Sequence, residues 1–152
     1  MPAYRTDAIA IILSVEAAAA FDDVTRSGEV DVVKEQDESR WPDIFRAART
    51  VPAVEYLRAQ QVRTLLIRDM EALMSEWDLI LVPGTGGQSL TVTNLTGNPA
   101  AILPCGFVEG MPRALTFIGK LYDVATPLAA ARAYEQATEW HRMHPDLTGI
   151  GD

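Results

Sequence analysis

The stretch "TNLTGNPAAILPCG", residues 93–106, sets two glycines and two prolines around a short apolar run. It contains no acid, base or metal-binding cluster, yet it constrains the backbone at Gly97, Pro99, Pro104 and Gly106. Glycine at such positions permits a sharp turn or a close approach of other backbone. Proline on either side confines "AAIL" to a short buried strand. The segment therefore reads as a structural strand with fixed ends.

Its flanks extend that reading. "WDLILVP", 77–83, is an apolar run stopped by Pro83 and Gly84, and "RALTFIG", 113–119, is another. The turn-rich "CGFVEGMP", 105–112, is expected to separate the last two strands. The runs at 78–82, 100–104 and 114–119 are almost continuously apolar, which suits strands covered on both faces. "GTGGQS", 84–89, reads as a flexible loop.

Helices surround these strands. The apolar spacing from Asp7 to Phe21 fits a helix with Gly28 as its stop, a strand over 8–13 being the rival. Ser39 followed by Pro42 marks the start of a short helix ending near Thr50. Pro52 opens the longest helix, about 52–76, with Val54, Leu57, Val62, Leu65, Leu66, Leu73 and Met74 as its apolar stripe. Thr126 is expected to cap a last helix with Pro127 at its first position and Leu128, Ala131, Ala133, Tyr134 and Ala137 along it. The acidic "EVDVVKEQDE", 29–38, reads as a solvated, mobile loop, and the tail "HPDLTGIGD" as loose. Helices, three strands and a helix in this order predict an α/β layer fold.

The 152 residues suffice for one domain, 1–152, burying about 70% of the surface of the unfolded chain. Hydrophobic residues make up 48% and charged residues 22%, a globular composition. The longest apolar runs, "AIAIIL" and "LILV", fall far short of the roughly 20 residues of a membrane span. "MPAYRTD" lacks the basic start and apolar core of a signal peptide, so a cytoplasmic location is expected. A net charge of −8 repels phosphate backbones and argues against nucleic-acid binding. The single cysteine, Cys105, excludes an internal disulfide and, without a basic neighbour, reads as a small core residue.

Motifs for chemistry are weak. "GTGGQS" lacks the Gly-Lys-Ser/Thr of a phosphate loop, and Ser89 stands where G-x-G-x-x-G needs its last glycine. Ser89 as a nucleophile needs a nearby base, and the two histidines, His141 and His144, lie at the far end of the chain. Those histidines have no third ligand at fixed spacing, so no metal or cofactor is implied. "NLT" at 94–96 matches a glycosylation sequon without other marks of secretion.

Residues 50–139 carry several marks in a recognisable order. "EYLRAQQVR" offers Tyr56, Ala59 and Arg63; "WDLILVPGT" offers Asp78 and Pro83; "TNLTGNPAAILPCG" and "GMPRALTFIGKLYDVATPLAAARAYEQAT" follow. Together they resemble the C-terminal portion of an amidase signature enzyme, a family of serine hydrolases of amides. That family includes bacterial amidases and the A subunit of glutamyl-tRNA amidotransferase. "ILSVEAAAAF", with Glu16, resembles an upstream helix of the same family. Pro83-Gly84-Thr85 departs from the family's Pro-Thr.

The resemblance implies a partial amidase-type mixed sheet with flanking helices. It also implies a catalytic group of two serines and a lysine, which lies in a Gly-Ser-rich region without a counterpart here; Lys34 and Lys120 stand in no matching context. No catalytic residue is therefore carried over, and Thr85 and Asn94 are the substrate-side candidates. The expected function is that of a truncated amidase-type domain, related to amide hydrolysis but not catalytic alone. A minimal hydrolase with a site rebuilt around Ser89 is one alternative, and an interaction module pairing through a sheet edge is another. The expected partner is a second copy of the chain or the missing N-terminal half.

Overall fold

The computed structural model describes residues 11–84, 88–146 and 148. They divide between two compact units, one ending at Leu66 and the other beginning at Ile67.

The first unit is helical. α1 (Ile11–Ala20) and α2 (Asp22–Ser27) are followed by a 3-10 turn over Glu29–Val32, then α3 (Trp41–Ala48) and the first part of α4 (Ala53–Glu76). The strand alternative fails over residues 11–13, and the expected start at Asp7 lies outside the described residues. Gly28 ends α2 in the left-handed region, at φ +81°. α1 packs against α3, with Ile12 and Ala48 buried. Phe21 stacks on Phe45 at 4.9 Å, and Trp41 lies 5.5 Å from the same ring.

Two local expectations change here. The acidic segment is not wholly solvated: Val30 is buried, and Gln36 Nε2 donates to the carbonyls of Val30 (2.9 Å) and Val33 (2.7 Å). Arg46 bridges Gln36 and Asp31, so an apolar residue and a cross-link order part of a run that its charges mark as loop. Ser39 is not the cap of α3; it sits at φ +69°, and Arg40 takes the N-cap without a side-chain bond, Pro42 standing in the first turn.

α4 begins one residue after Pro52, as that proline requires. Its buried positions are Ala59, Leu66, Met70 and Met74, whose 7–4–4 spacing keeps one face. Val54, Leu57 and Leu65 are exposed, because steps of about 100° per residue carry them off that face.

The second unit holds the sheet. β1 (Leu79–Pro83), β2 (Ala100–Val108) and β3 (Met111–Gly119) are antiparallel in the order β1-β3-β2. β2 does not stop at Pro104, and "CGFVEGMP" is not a separator. The strands run on to Val108 and Met111, joined by Glu109 and Gly110 at φ +53° and +77°. Positive φ at both central residues is the pattern of a type I′ turn, whose twist matches that of the hairpin. Pro104 pairs with Ala114 on a strand at the edge of the sheet, where a missing N–H is tolerated, and the register shifts between Pro104 and Gly106.

α5 (Gln88–Thr96) occupies part of the expected loop, and α6 (Ala125–Ala137) packs on β2 and β3, Phe117 meeting Tyr134 at 5.8 Å. Ile118, on the opposite face, is fully buried. The strands are not covered throughout: Leu81 of β1 is 52% exposed and Ile102 of β2 is 47% exposed. Only β3 has neighbours on both sides, so the apolar outer strands keep bare flanks among the described residues. The N-cap position of α6 is Val124, and the side chain just before it, Asp123 Oδ1, accepts the Thr126 N–H at 3.1 Å; Thr126 itself lies inside the helix. Pro127 and Ala131 are buried while Leu128 is exposed. No helix among the described residues is long and apolar enough to cross a membrane.

Candidate functional site

The opening segment is the end of a helix followed by the start of a strand. Thr93 and Thr96 lie on α5, and their hydroxyls donate back to the carbonyls of Ser89 (3.1 Å) and Val92 (2.8 Å). Those bonds let two threonines be buried in a helix they would otherwise disfavour. The Gly97 N–H then closes on the Thr93 carbonyl at 2.8 Å with φ +82°, a left-handed helix end.

The next residue ties the helix end to the sheet. Asn98 Nδ2 donates to the Gly119 carbonyl at 2.8 Å, and its Oδ1 lies 2.7 Å from Thr96 Oγ1. The Gly119 N–H donates to the Pro99 carbonyl at 2.9 Å. "GNP" is thus clamped to the last residue of β3. Gly119 is itself enclosed: a Cβ there would meet Pro127 Cγ and Cδ at 2.8 Å and the Asp123 carbonyl at 2.9 Å.

The residues singled out from the sequence are dispersed. Thr85 lies outside the described residues. Asn94 is exposed on α5, and it is Asn98, immediately before the proline, that bonds across the turn. A signal for Asn98 existed: asparagine between a glycine and a proline is a turn residue whose short amide reaches nearby backbone. Pro104 and Gly106 flank the register shift, with Gly106 at φ +148°, and Cys105 between them is half-buried.

Ser89 lies in the first turn of α5, beside a small crevice of about 20 Å³ lined by Gly84, Leu90, Thr93, Ile102 and Thr116. Among the described residues, no histidine, lysine or carboxylate lines that crevice. His141 and His144 are exposed, and no group of three metal-ligating side chains occurs among the described residues. Lys120 Nζ lies 3.3 Å from Asp78 Oδ1, an exposed pair. Asp123 is held below the ordinary carboxylate value of 3.8 by the hydroxyl and N–H of Thr126, with smaller help from the Lys120 charge. These groups clamp backbone and cap a helix.

Comparison with known proteins places this geometry. No family model matches the chain. The A subunit of glutamyl-tRNA(Gln) amidotransferase from Chloroflexus aggregans is 39% identical over 111 residues, 60% of this chain and 23% of that protein. The same subunit from Geobacillus thermodenitrificans is 37% identical over the same shares. A bacterial aryl acylamidase of the amidase signature enzymes superposes with a TM-score of 0.71 at 17% identity, over 92% of this chain and 36% of its own. Native peptide amidase from Stenotrophomonas maltophilia gives 0.61 at 22% identity, over 83% of this chain and 29% of its own. The structural likenesses show a shared fold. The chain is similar to the C-terminal portion of amidase signature enzymes, and it spans about a quarter of the length of the curated relatives it matches.

Proposed function

We propose that this chain forms a supporting part of an amidase-type enzyme and does not hydrolyse amide bonds by itself. The carrying observation is the partial match: the chain spans 23% of the amidotransferase A subunit from Chloroflexus aggregans and 36% of the aryl acylamidase it superposes on. In this reading the serine–serine–lysine group comes from polypeptide other than these residues. The clamp formed by Asn98, Gly119 and Asp123 holds the sheet that would lie beneath it. Carboxylic amides are the substrate class, and the cytoplasm is the compartment.

The bare strand flanks favour a further element: a partner covers them. Leu81 and Ile102 stand half exposed on the outer strands, and exposed apolar edges invite pairing. A second copy of the chain, arranged with two-fold symmetry, is the simplest cover when no other polypeptide is present. The charge of −8 opposes pairing only weakly, since screening sets in beyond about 8–10 Å at ordinary salt.

The purified chain is expected to give no turnover of aryl amides or esters above background and to scatter light as a dimer. Turnover that vanishes in a Ser89→Ala variant would overturn the supporting role. A stable monomer across a micromolar dilution series would overturn the pairing.

A further inference from the structure

A second opening in the 67–152 unit lies at the other end of the sheet from Ser89. It is a cleft of about 320 Å³ beside the start of β1 and the end of β3. That volume falls at the lower end of the range of small-molecule sites, about 300–1,000 Å³. Ile67, Glu71 and Met74 line one wall, spaced by four and three residues on one face of α4. Lys120 and Leu121, just after β3, line the other, with Asn98 between.

The wall opposite α4 is preformed. Asn98 Nδ2 is fixed on the Gly119 carbonyl, so its remaining amide hydrogen is held in place. Leu121 is 43% exposed, and its Cδ1 lies where a Cβ on Gly97 would come within 3.3 Å. The apolar surface of Leu121, Ile67 and Met74 therefore shares one space with an ammonium and a carboxylate. Lys120 pairs with Asp78, whose side chain is 90% exposed, and its charge also acts on Asp123. Exposed pairs of this kind contribute little, so Lys120 can turn to a ligand at small cost.

We propose that this cleft binds a small zwitterion with an apolar body, of the chemical class of a hydrophobic amino acid. Lys120 takes its carboxylate, Glu71 its ammonium, and Ile67, Met74 and Leu121 its side chain. A simple anion fits less well, because Glu71 shares the cleft and the chain carries −8 overall. A neutral apolar molecule would make no use of either charge in the lining. The site needs no amide chemistry and stands whether or not the chain supports hydrolysis.

The test is a titration of the whole isotopically labelled chain with L-phenylalanine, followed through backbone amide shifts. Saturable shifts confined to Ser75, Asn98, Lys120 and Leu121 are expected. Lys120→Gln and Glu71→Gln should each weaken binding by about tenfold, the scale of one lost hydrogen bond to a charged group. N-acetyl-L-phenylalaninamide, which lacks both charges, should bind at least as weakly as either variant. Shifts that never saturate, that spread over the chain, or that are equal for the neutral analogue overturn the proposal. Glu71 is exposed, so Glu71→Gln keeps the fold and decides alone if Lys120→Gln does not.

Discussion

The helical unit and the sheet unit of this chain are held together by different means. In the helical unit the cross-links run from side chains: the Phe21–Phe45–Trp41 cluster, Arg46 on Asp31 and Gln36, Gln36 on the Val30 and Val33 carbonyls, and Tyr56 and Gln60 on Glu16. Most of those polar groups are exposed, where each contact contributes little. In the sheet unit the fixing elements are backbone: a two-residue turn with positive φ at both positions, a left-handed helix end at Gly97, and Gly119 enclosed by Pro127 and Asp123. The difference teaches where substitutions should matter. A side-chain contact on the surface can be lost and replaced by water, whereas a backbone position with no room for a Cβ has no such substitute.

The sharpest way to break this comparison is Gly119→Ala. The added methyl would lie under 3 Å from ring carbons of Pro127 and from the Asp123 carbonyl, neither of which is a flexible side-chain end. Overpacking of this kind costs about 1–3 kcal/mol, a fall of several degrees in melting temperature. Arg46→Ala in the helical unit removes the largest exposed cross-link and should change stability by less than about 1 kcal/mol. Equal losses in the two melts would show that the surface network holds the helical unit as firmly as backbone geometry holds the sheet.

A matched pair of glycines sharpens it further. Gly28 and Gly97 have almost the same φ, +81° and +82°, one in each unit. Replacement by valine should cost at least about 1 kcal/mol at each, through backbone strain alone. Their surroundings differ: a Cβ at Gly28 meets only Asp31 Oδ2 at 3.8 Å, and one at Gly97 meets Leu121 Cδ1 at 3.3 Å. Gly97→Val should therefore be the worse by a few tenths of a kcal/mol, small because a leucine tip can yield. An unchanged melting temperature for Gly97→Val would remove the helix end from the list of fixing elements.

Long periodic segments and hard punctuation were legible in the sequence. Pro52 and the apolar spacing place α4 to within a residue of its observed 53–76, and the β1 run ends at Pro83 as read. The amidase-type fold was legible too, from the order of marks over residues 50–139 rather than from any one of them. α5 was not. Its glycine-rich approach and β-branched "TVT" argue against a helix, and the back-bonding that satisfies the buried hydroxyls of Thr93 and Thr96 is invisible to propensity. The hairpin was hidden because Pro104 and Gly106 look like strand ends. On an edge strand with a register shift they need not be. The same limit applies to the candidate site: Asn98 and Asp123 act through backbone brought near by folding, so Asn94 and Thr126 were the more visible neighbours.

Two carboxylates carry the comparison to its finest scale. Asp22 in the helical unit and Asp123 in the sheet unit are both held below the ordinary value of 3.8. Each therefore contributes stability that is present above that value and lost as pH falls through its lowered pKa. The causes differ. Asp22 is lowered first by its hydrogen bond to Arg26 and then by the charges of Arg26 and Arg49, the latter 3.0 Å away. Asp123 is lowered first by the hydroxyl and N–H of Thr126, with the Lys120 charge a lesser cause. Salt should separate them, since the Debye length falls from about 30 Å at 0.01 M to about 3 Å at 1 M. Carboxyl-carbon titrations at those two ionic strengths should show Asp22 moving up toward 3.8 while Asp123 moves less. Arg26 is mostly exposed, so screening acts directly on its bond to Asp22. Thr126 is positioned by α6 itself, and neither its N–H nor its hydroxyl carries an ionic charge for salt to screen. If both carboxylates rise equally, the cap of α6 depends on Lys120 rather than on helix geometry, and the sheet unit is held by charge in the same way as its neighbour.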